Sequence, residues 1–213
     1  MNLMTVTYET GAKTMPIGMT VTGPESELSS SELMSFAEEM QSNSILLANL
    51  ISAFAAHERG GVHLYRTAMG LTQFQEWRRK YEEFLTQTVE HVRILSELTI
   101  ELGGDPGYVS PQARMTEFMN TKLMESVLLD GSVDGLTREL TILEAVLLAE
   151  RKCHANWDLL SELCRRLPAS DDSQAIERAV TQVKIEEDEH VRWAQQTWRE
   201  TLLTQLTPSA VVG

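Results

Sequence analysis

A helical stripe near the C-terminus constrains this chain more than any other feature. Stepping by four and three from Ile176 gives Val180, Val183, Glu187, His190 and Ala194, a face that is apolar except for one glutamate and one histidine. Glu187 and His190 are three residues apart, so on a helix they share that face, one turn apart. Burying a carboxylate and an imidazole is costly unless they are paired, hydrogen-bonded or bound to metal. The fold must bring partners to them from other segments.

Three more long stripes offer such partners. One helix is expected from Ser44 to about Met69, with Leu47, Ile51, Phe54, Glu58, Gly61, Tyr65 and Ala68 on its inner face. A second, from about Gln73 to Leu102, shows Trp77, Tyr81, Phe84, Thr88, His91, Leu95, Leu98 and Leu102. A third, from about Val133 to Leu167, shows Leu136, Leu140, Leu143, Leu147, Glu150, His154, Trp157 and Leu160. The last follows the capping residues Ser170-Asp-Asp-Ser173 and runs to about Leu206, before Pro208. At 1.5 Å per residue each is roughly 40 to 50 Å long, and each stripe is interrupted near its middle. Packed side by side as an all-α four-helix bundle, the interruptions converge at one depth.

The intervening segments are shorter. A short helix is expected over Ser29–Met40, and Gly103-Gly-Asp-Pro106 is a strong helix stop. A methionine-rich helix over Gln112–Leu129, closed by Asp130-Gly131, suits the long crossover that some bundles need, its methionines filling gaps in packing. Gly60 and Gly61 each cost a helix interior about 1 kcal/mol relative to alanine, so either a neighbour approaches closely there or the helix is distorted. Residues 1–30, with a β-like run at Met4–Tyr8 and several Gly and Pro, are expected to form an irregular or partly disordered arm. The bundle is expected over 31–207 and a frayed tail over 208–213.

Charge and cysteine usage narrow the partners. A net charge of -13 argues against nucleic acid and anionic membrane and suits cations. No apolar run approaches the ~20 residues of a membrane span, and the N-terminus lacks a convincing signal peptide, so the cytoplasm is the expected location. Cys153 and Cys164 lie in one helix, too far apart to bridge each other without unwinding it, and read as reduced thiols.

The polar residues also repeat. Glu90-His-Val-Arg93 recurs as Glu189-His-Val-Arg192, and Glu58 with Tyr65 is echoed by Glu150 with Trp157. A pair of iron or manganese ions needs hard oxygen ligands with imidazole nitrogens. Bundles supply these as one Glu from each of two helices and a Glu-x-x-His from each of the other two. That pattern selects Glu58, Glu150, Glu187 with His190, and His91 as metal ligands.

On these residues, together with Leu102-Gly-Gly104 and Trp193, the chain resembles the ferritin-like superfamily of di-iron carboxylate proteins, which includes bacterioferritins and rubrerythrins. The resemblance covers about 44–206. It implies a bundle with a long crossover, a pair of iron ions (or one ion, or manganese), and an oxidoreductase acting on dioxygen or peroxide by ferroxidase or peroxidase chemistry. With no Cys-x-x-Cys pair in the chain, the electron donor must be separate. A homo-oligomer is expected, a dimer rather than a hollow shell. Tyr65, Thr88 and Trp157 are expected around the ligands, Tyr65 as a hydrogen-bond donor to a carboxylate.

One position departs from the pattern. Three residues before His91, where a Glu belongs, stands Thr88, beside Gln87. His154 is then the candidate for an additional ligand, with Cys153 ranked below it because soft thiolate suits other metals better. Otherwise the site holds one metal, or it is degenerate and the chain is an interaction protein. An iron-storage subunit is a further alternative.

Overall fold

The computed structural model describes residues 30–40, 42–128 and 134–207. The arm before Ser30 and the tail over 208–213 lie outside these residues. Among the described residues six α-helices follow one another: α1 (Ser30–Met34, with a 3-10 turn at Glu38–Met40), α2 (Ser44–Leu71), α3 (Gln75–Glu101), α4 (Pro111–Leu128), α5 (Gly135–Arg166) and α6 (Asp171–Leu206). No strand occurs among the described residues. The fold is all-α, as the stripes predict.

Local chemistry sets most of the helix ends. The side chain of Asn43 accepts a hydrogen bond from the Leu46 amide at 3.0 Å, and that of Asp134 from the Thr137 amide at 3.0 Å. Ser170 and Ser173 cap each other reciprocally at 3.1 and 2.8 Å. α3 closes on Gly103, whose φ of 79° only glycine adopts without strain. There the Gly103 and Gly104 amides donate to Ile100 O and Thr99 O at 2.9 and 2.8 Å. α3 begins without a side-chain cap of its own. Glu139, buried on α5, instead accepts from Thr72 Oγ1 at 2.7 Å and from the Gln73 amide, bracing the α2–α3 turn.

α2 with α3 and α5 with α6 form two hairpins, joined by contacts of α2 with α5 and of α3 with α6. Facing pairs give the directions. Glu58 meets Trp157 while Tyr65 meets Glu150, so α2 and α5 are antiparallel. Gln87 meets His190 while His91 meets Glu186, so α3 and α6 are antiparallel too. α4 runs alongside α2 in the same direction, from Ser110 beside Asn49 to Asn120 beside Ala56, and returns the chain along the bundle. This is the expected crossover.

The crossover explains Gly60. A Cβ there would lie 2.0 Å from Asn120 Nδ2, whose amide donates to Ala56 O at 3.1 Å. The methionines of α4 divide: Met124 is buried, but Met115 and Met119 are 68% and 64% exposed and fill no gap.

Two apolar clusters occupy the two ends of the bundle. One contains Phe36, Met40, Ile51, Leu95, Leu98, Leu160, Ile176 and Val183. The other contains Tyr65, Tyr81, Phe84, Ile142, Val146 and Ala194. Each fully buried large side chain contributes about 1.5–3 kcal/mol. Along all four long helices the polar residues Glu58, Thr88, His91, Glu150, Glu187 and His190 fall between these clusters and are themselves buried.

α5 is rotated from its expected register. Leu140, Leu147 and His154 are only partly buried, while Glu139, Ile142, Val146, Ala149 and Cys153 face inward. α2, α4 and α6 all pack on α5, so its buried sector is wider than a single leucine stripe indicates. Among the described residues, no helix is long and apolar enough to cross a membrane.

Candidate metal centre

Five acidic and imidazole side chains selected from the sequence converge in the layer between the two clusters. Glu150 Oε1 accepts from Tyr65 OH at 2.8 Å, and Glu150 Oε2 lies 3.1 Å from His190 Nδ1. Glu58 Oε1 accepts from Trp157 Nε1 at 2.8 Å and from Cys153 Sγ at 2.7 Å. Glu187 stands between these groups. Its Oε1 is 3.0 Å from His91 Nδ1 and 3.4 Å from Cys153 Sγ.

The two histidines are held in the same way. His91 Nε2 meets Glu186 Oε2 at 2.9 Å, and His190 Nε2 meets Gln87 Oε1 at 2.9 Å. Each outer acceptor fixes a proton on Nε2 and leaves Nδ1 facing the carboxylates, the arrangement that orients a ligating imidazole. Gln87, Thr88 and His91 on α3 occupy the same internal spacing as Glu186, Glu187 and His190 on α6. The residue that steadies each histidine therefore comes from the opposite helix, one position before Thr88 or Glu187.

Two groups of ligand atoms each fit within 4.8 Å of one another: Glu58 with Cys153 and Glu187, and Glu150 with Glu187 and His190. Glu187 belongs to both. His91 Nδ1 and Glu187 Oε2 are buried and have no hydrogen-bond partner among the described residues. Although His91 Nδ1 lies close to Glu187 Oε1, the contact is not aligned as a hydrogen bond. Leaving such atoms unpaired in the interior costs about 1–3 kcal/mol each. A cation would satisfy both, so the residues present fit a metal.

Burial and mutual charge shift these groups strongly. Burial raises the Glu187 carboxyl, the Glu58 charge raises it further, and His91 offsets part of this, leaving it at about 7. Burial lowers the His91 imidazole, but Glu187 and Glu58 outweigh it and push the group up to about 11. His190 is raised as well, Glu150 outweighing burial. Glu58 ends below its usual range, because His91, Cys153 and Trp157 together exceed the effect of burial. Burial and the neighbouring carboxylates drive the Cys153 thiol and the Tyr65 phenol well above their ordinary values.

Three placements depart from the sequence reading. His154 does not reach the cluster: it is 30% exposed and lies between Asp188 Oδ1 at 2.7 Å and Asp158 Oδ2 at 3.2 Å. Four residues after Glu150 is a rotation of about 40° away from it, and the rotated face of α5 carries it outward. Cys153 takes the inward place that His154 was expected to fill. Thr88 lies in the layer, but its hydroxyl donates to Phe84 O at 2.8 Å and its methyl packs over Gly61, where a Cβ would lie 3.2 Å away. It bonds to no ligand side chain. Glu186, in an acidic run off the apolar stripe, steadies His91; carrying the Glu90/Glu189 repeat three residues back pairs Gln87 with Glu186, the signal that could have found both holders.

No protein-family model matches this chain, and no curated protein does. The residues present define a buried carboxylate–imidazole cluster inside an all-α bundle. Among solved structures the chain is similar to YcfI of Rhodopseudomonas palustris, a protein provisionally labelled structural, with a TM-score of 0.61 at 14% identity, covering 75% of this chain and 97% of that one. At that identity the likeness concerns the fold.

Proposed function

We propose that this is a ferritin-like metal-binding protein that holds two ions of iron, with manganese as the alternative, and acts as an oxidoreductase on dioxygen or peroxide. One observation carries this reading: both histidines are held at Nε2 from outside and turn Nδ1 toward buried carboxylates, His91 toward Glu187 at 3.0 Å and His190 toward Glu150 at 3.1 Å, beside buried atoms with no hydrogen-bond partner. One position is formed by Glu58, His91 and Glu187, the other by Glu150, His190 and Glu187. Iron bound there supplies one-electron steps between its divalent and trivalent states.

The chain's own residues hold that chemistry in place. Tyr65 and Trp157 fix one oxygen each of Glu150 and Glu58, so each carboxylate turns its other oxygen inward. Glu186 and Gln87 set the imidazole tautomers. The Phe84 ring, 4.1 Å from the His190 ring centroid, and Trp193 beyond it shield that side from water. In this reading the electrons come from a separate donor, and the chain works in the cytoplasm as a homo-oligomer.

Metal analysis tests the proposal directly. Protein purified after growth with iron and manganese, then supplied anaerobically with Fe(II), should approach two metals per chain and consume dioxygen or peroxide. Trace metal that does not rise on Fe(II) addition would sink the reading and leave a metal-free interaction protein. Stoichiometric loading in a many-subunit assembly, rather than one near twice the 24.0 kDa chain mass, would favour storage.

A further inference from the structure

The cysteine in the polar layer is not among the carboxylate and imidazole ligands named above, yet it lies within one half of the site. Cys153 is 4% exposed, with Sγ 2.7 Å from Glu58 Oε1 and 3.4 Å from Glu187 Oε1. His91 Nδ1 points into the same space, 3.0 Å from Glu187 Oε1 and 3.8 Å from Glu58 Oε2. Sulfur and the two carboxylates therefore cluster around one point, their ligand atoms within 4.8 Å of one another, with His91 Nδ1 at its edge.

A buried cysteine is ordinarily a small hydrophobe packed among apolar side chains. Cys153 belongs to the edge of one apolar cluster, but its sulfur also faces two carboxylates, and its single S–H can donate to only one of them at a time. As a free thiolate it would be repelled by both. A divalent cation at the common point removes the conflict, because thiolate, carboxylates and imidazole all become ligands. Independent of the sulfur, His91 Nδ1 and Glu187 Oε2 are buried without a hydrogen-bond partner, and His91 Nδ1 lies against Glu187 and Glu58, the two carboxylates that the sulfur also faces.

Building on the metal reading above, we propose that Cys153 is a thiolate ligand, so that the Glu58–His91 position is a sulfur-containing site selecting thiophilic divalent cations of the Fe(II), Co(II) and Zn(II) class over Mn(II). The Cys153 thiolate occupies the coordination place that a carboxylate at Thr88 would otherwise supply to this half. Soft sulfur favours these ions, whereas an all-oxygen and nitrogen set admits manganese more readily. On binding, the S–H bond breaks and a sulfur–metal bond forms. The proton passes to Glu58 or Glu187, both in contact with Sγ, and leaves to solvent. No electron moves, and the metal stays divalent.

Cobalt reports the bond without any turnover. Co(II) should be added anaerobically to the metal-free full-length protein and to Cys164→Ser, in which Cys153 is the only thiol left. Both should develop a near-ultraviolet thiolate-to-cobalt charge-transfer band that saturates at one cobalt per chain. In Cys153→Ser the band should vanish while the visible ligand-field bands persist. Its preference for Co(II) over Mn(II) should fall about 10-fold or more, on the scale by which altered metal surroundings change affinity. Visible cobalt bands without charge transfer in Cys164→Ser would overturn the thiolate ligand and leave the metal site standing, whether or not Cys153→Ser folds. A charge-transfer band retained in Cys153→Ser would overturn it equally. Failure of the unmodified protein to bind Co(II), Fe(II), Zn(II) or Mn(II) would remove both readings together.

Discussion

The two halves of the polar layer are built on one plan and differ at four places. On one side Glu150 is held by Tyr65, and His190 by the neutral Gln87. On the other, Glu58 is held by Trp157 and also by Cys153, while His91 is held by the charged Glu186. Between them Glu187 has a counterpart only in Thr88, whose hydroxyl turns back to its own helix. A near-symmetric helical frame thus carries an asymmetric set of donors, so the two positions should differ in affinity and metal preference.

Removing the shared group should have the largest effect. Glu187→Ala is expected to abolish loading of both positions while circular dichroism stays helical; unchanged metal content would show that the halves do not share a ligand. Removing one histidine comes next. His91→Ala and His190→Ala should each lose one of two metals, and equal residual affinity in the two variants would break the asymmetry.

Smaller effects probe the holders. Tyr65→Phe leaves Glu150 Oε1 without its phenol donor and should cost about 1–3 kcal/mol in chemical denaturation. Trp157→Phe should cost less through hydrogen bonding, since Cys153 still reaches Glu58 Oε1, although the smaller ring adds a packing loss. Equal losses after correction with Trp157→Leu would place the two holders on one footing.

The gentlest test is pH. His91 is raised from 6.5 to about 11 in the folded chain, which then binds more protons than the unfolded chain throughout that interval. The metal-free protein should therefore lose thermal stability as pH rises from 6.5 toward 11. Glu187, raised from 4.5 to about 7, acts in the same direction over its own lower window. His91→Gln should flatten the upper part of the profile, and an unchanged slope would show that His91 is not the proton carrier.

Much of this arrangement was legible in the sequence, for identifiable reasons. Pro, Gly and polar caps fall at the ends of the long helices, and on α2, α3 and α6 an apolar stripe stands out against polar flanks. α5 carries Leu140, Leu143, Leu147, Ile142 and Val146 together, so periodicity alone left its rotation open by about one residue. That single ambiguity exchanged His154 for Cys153. Glu186 was hidden for another reason: within a run of acids, only the facing helix shows which one turns inward.

The buried polar layer also works as a ruler for assembly. Sliding any long helix by one turn, about 5.4 Å, would carry its Glu or His into one of the apolar clusters, where no partner of opposite charge waits. Two uniform hydrophobic ends would tolerate such slippage; the layer between them does not. The same residues that would grip a cation therefore set the vertical alignment of the four helices, and the crossover helix, with Asn120 seated on Gly60, pins that alignment from outside the bundle.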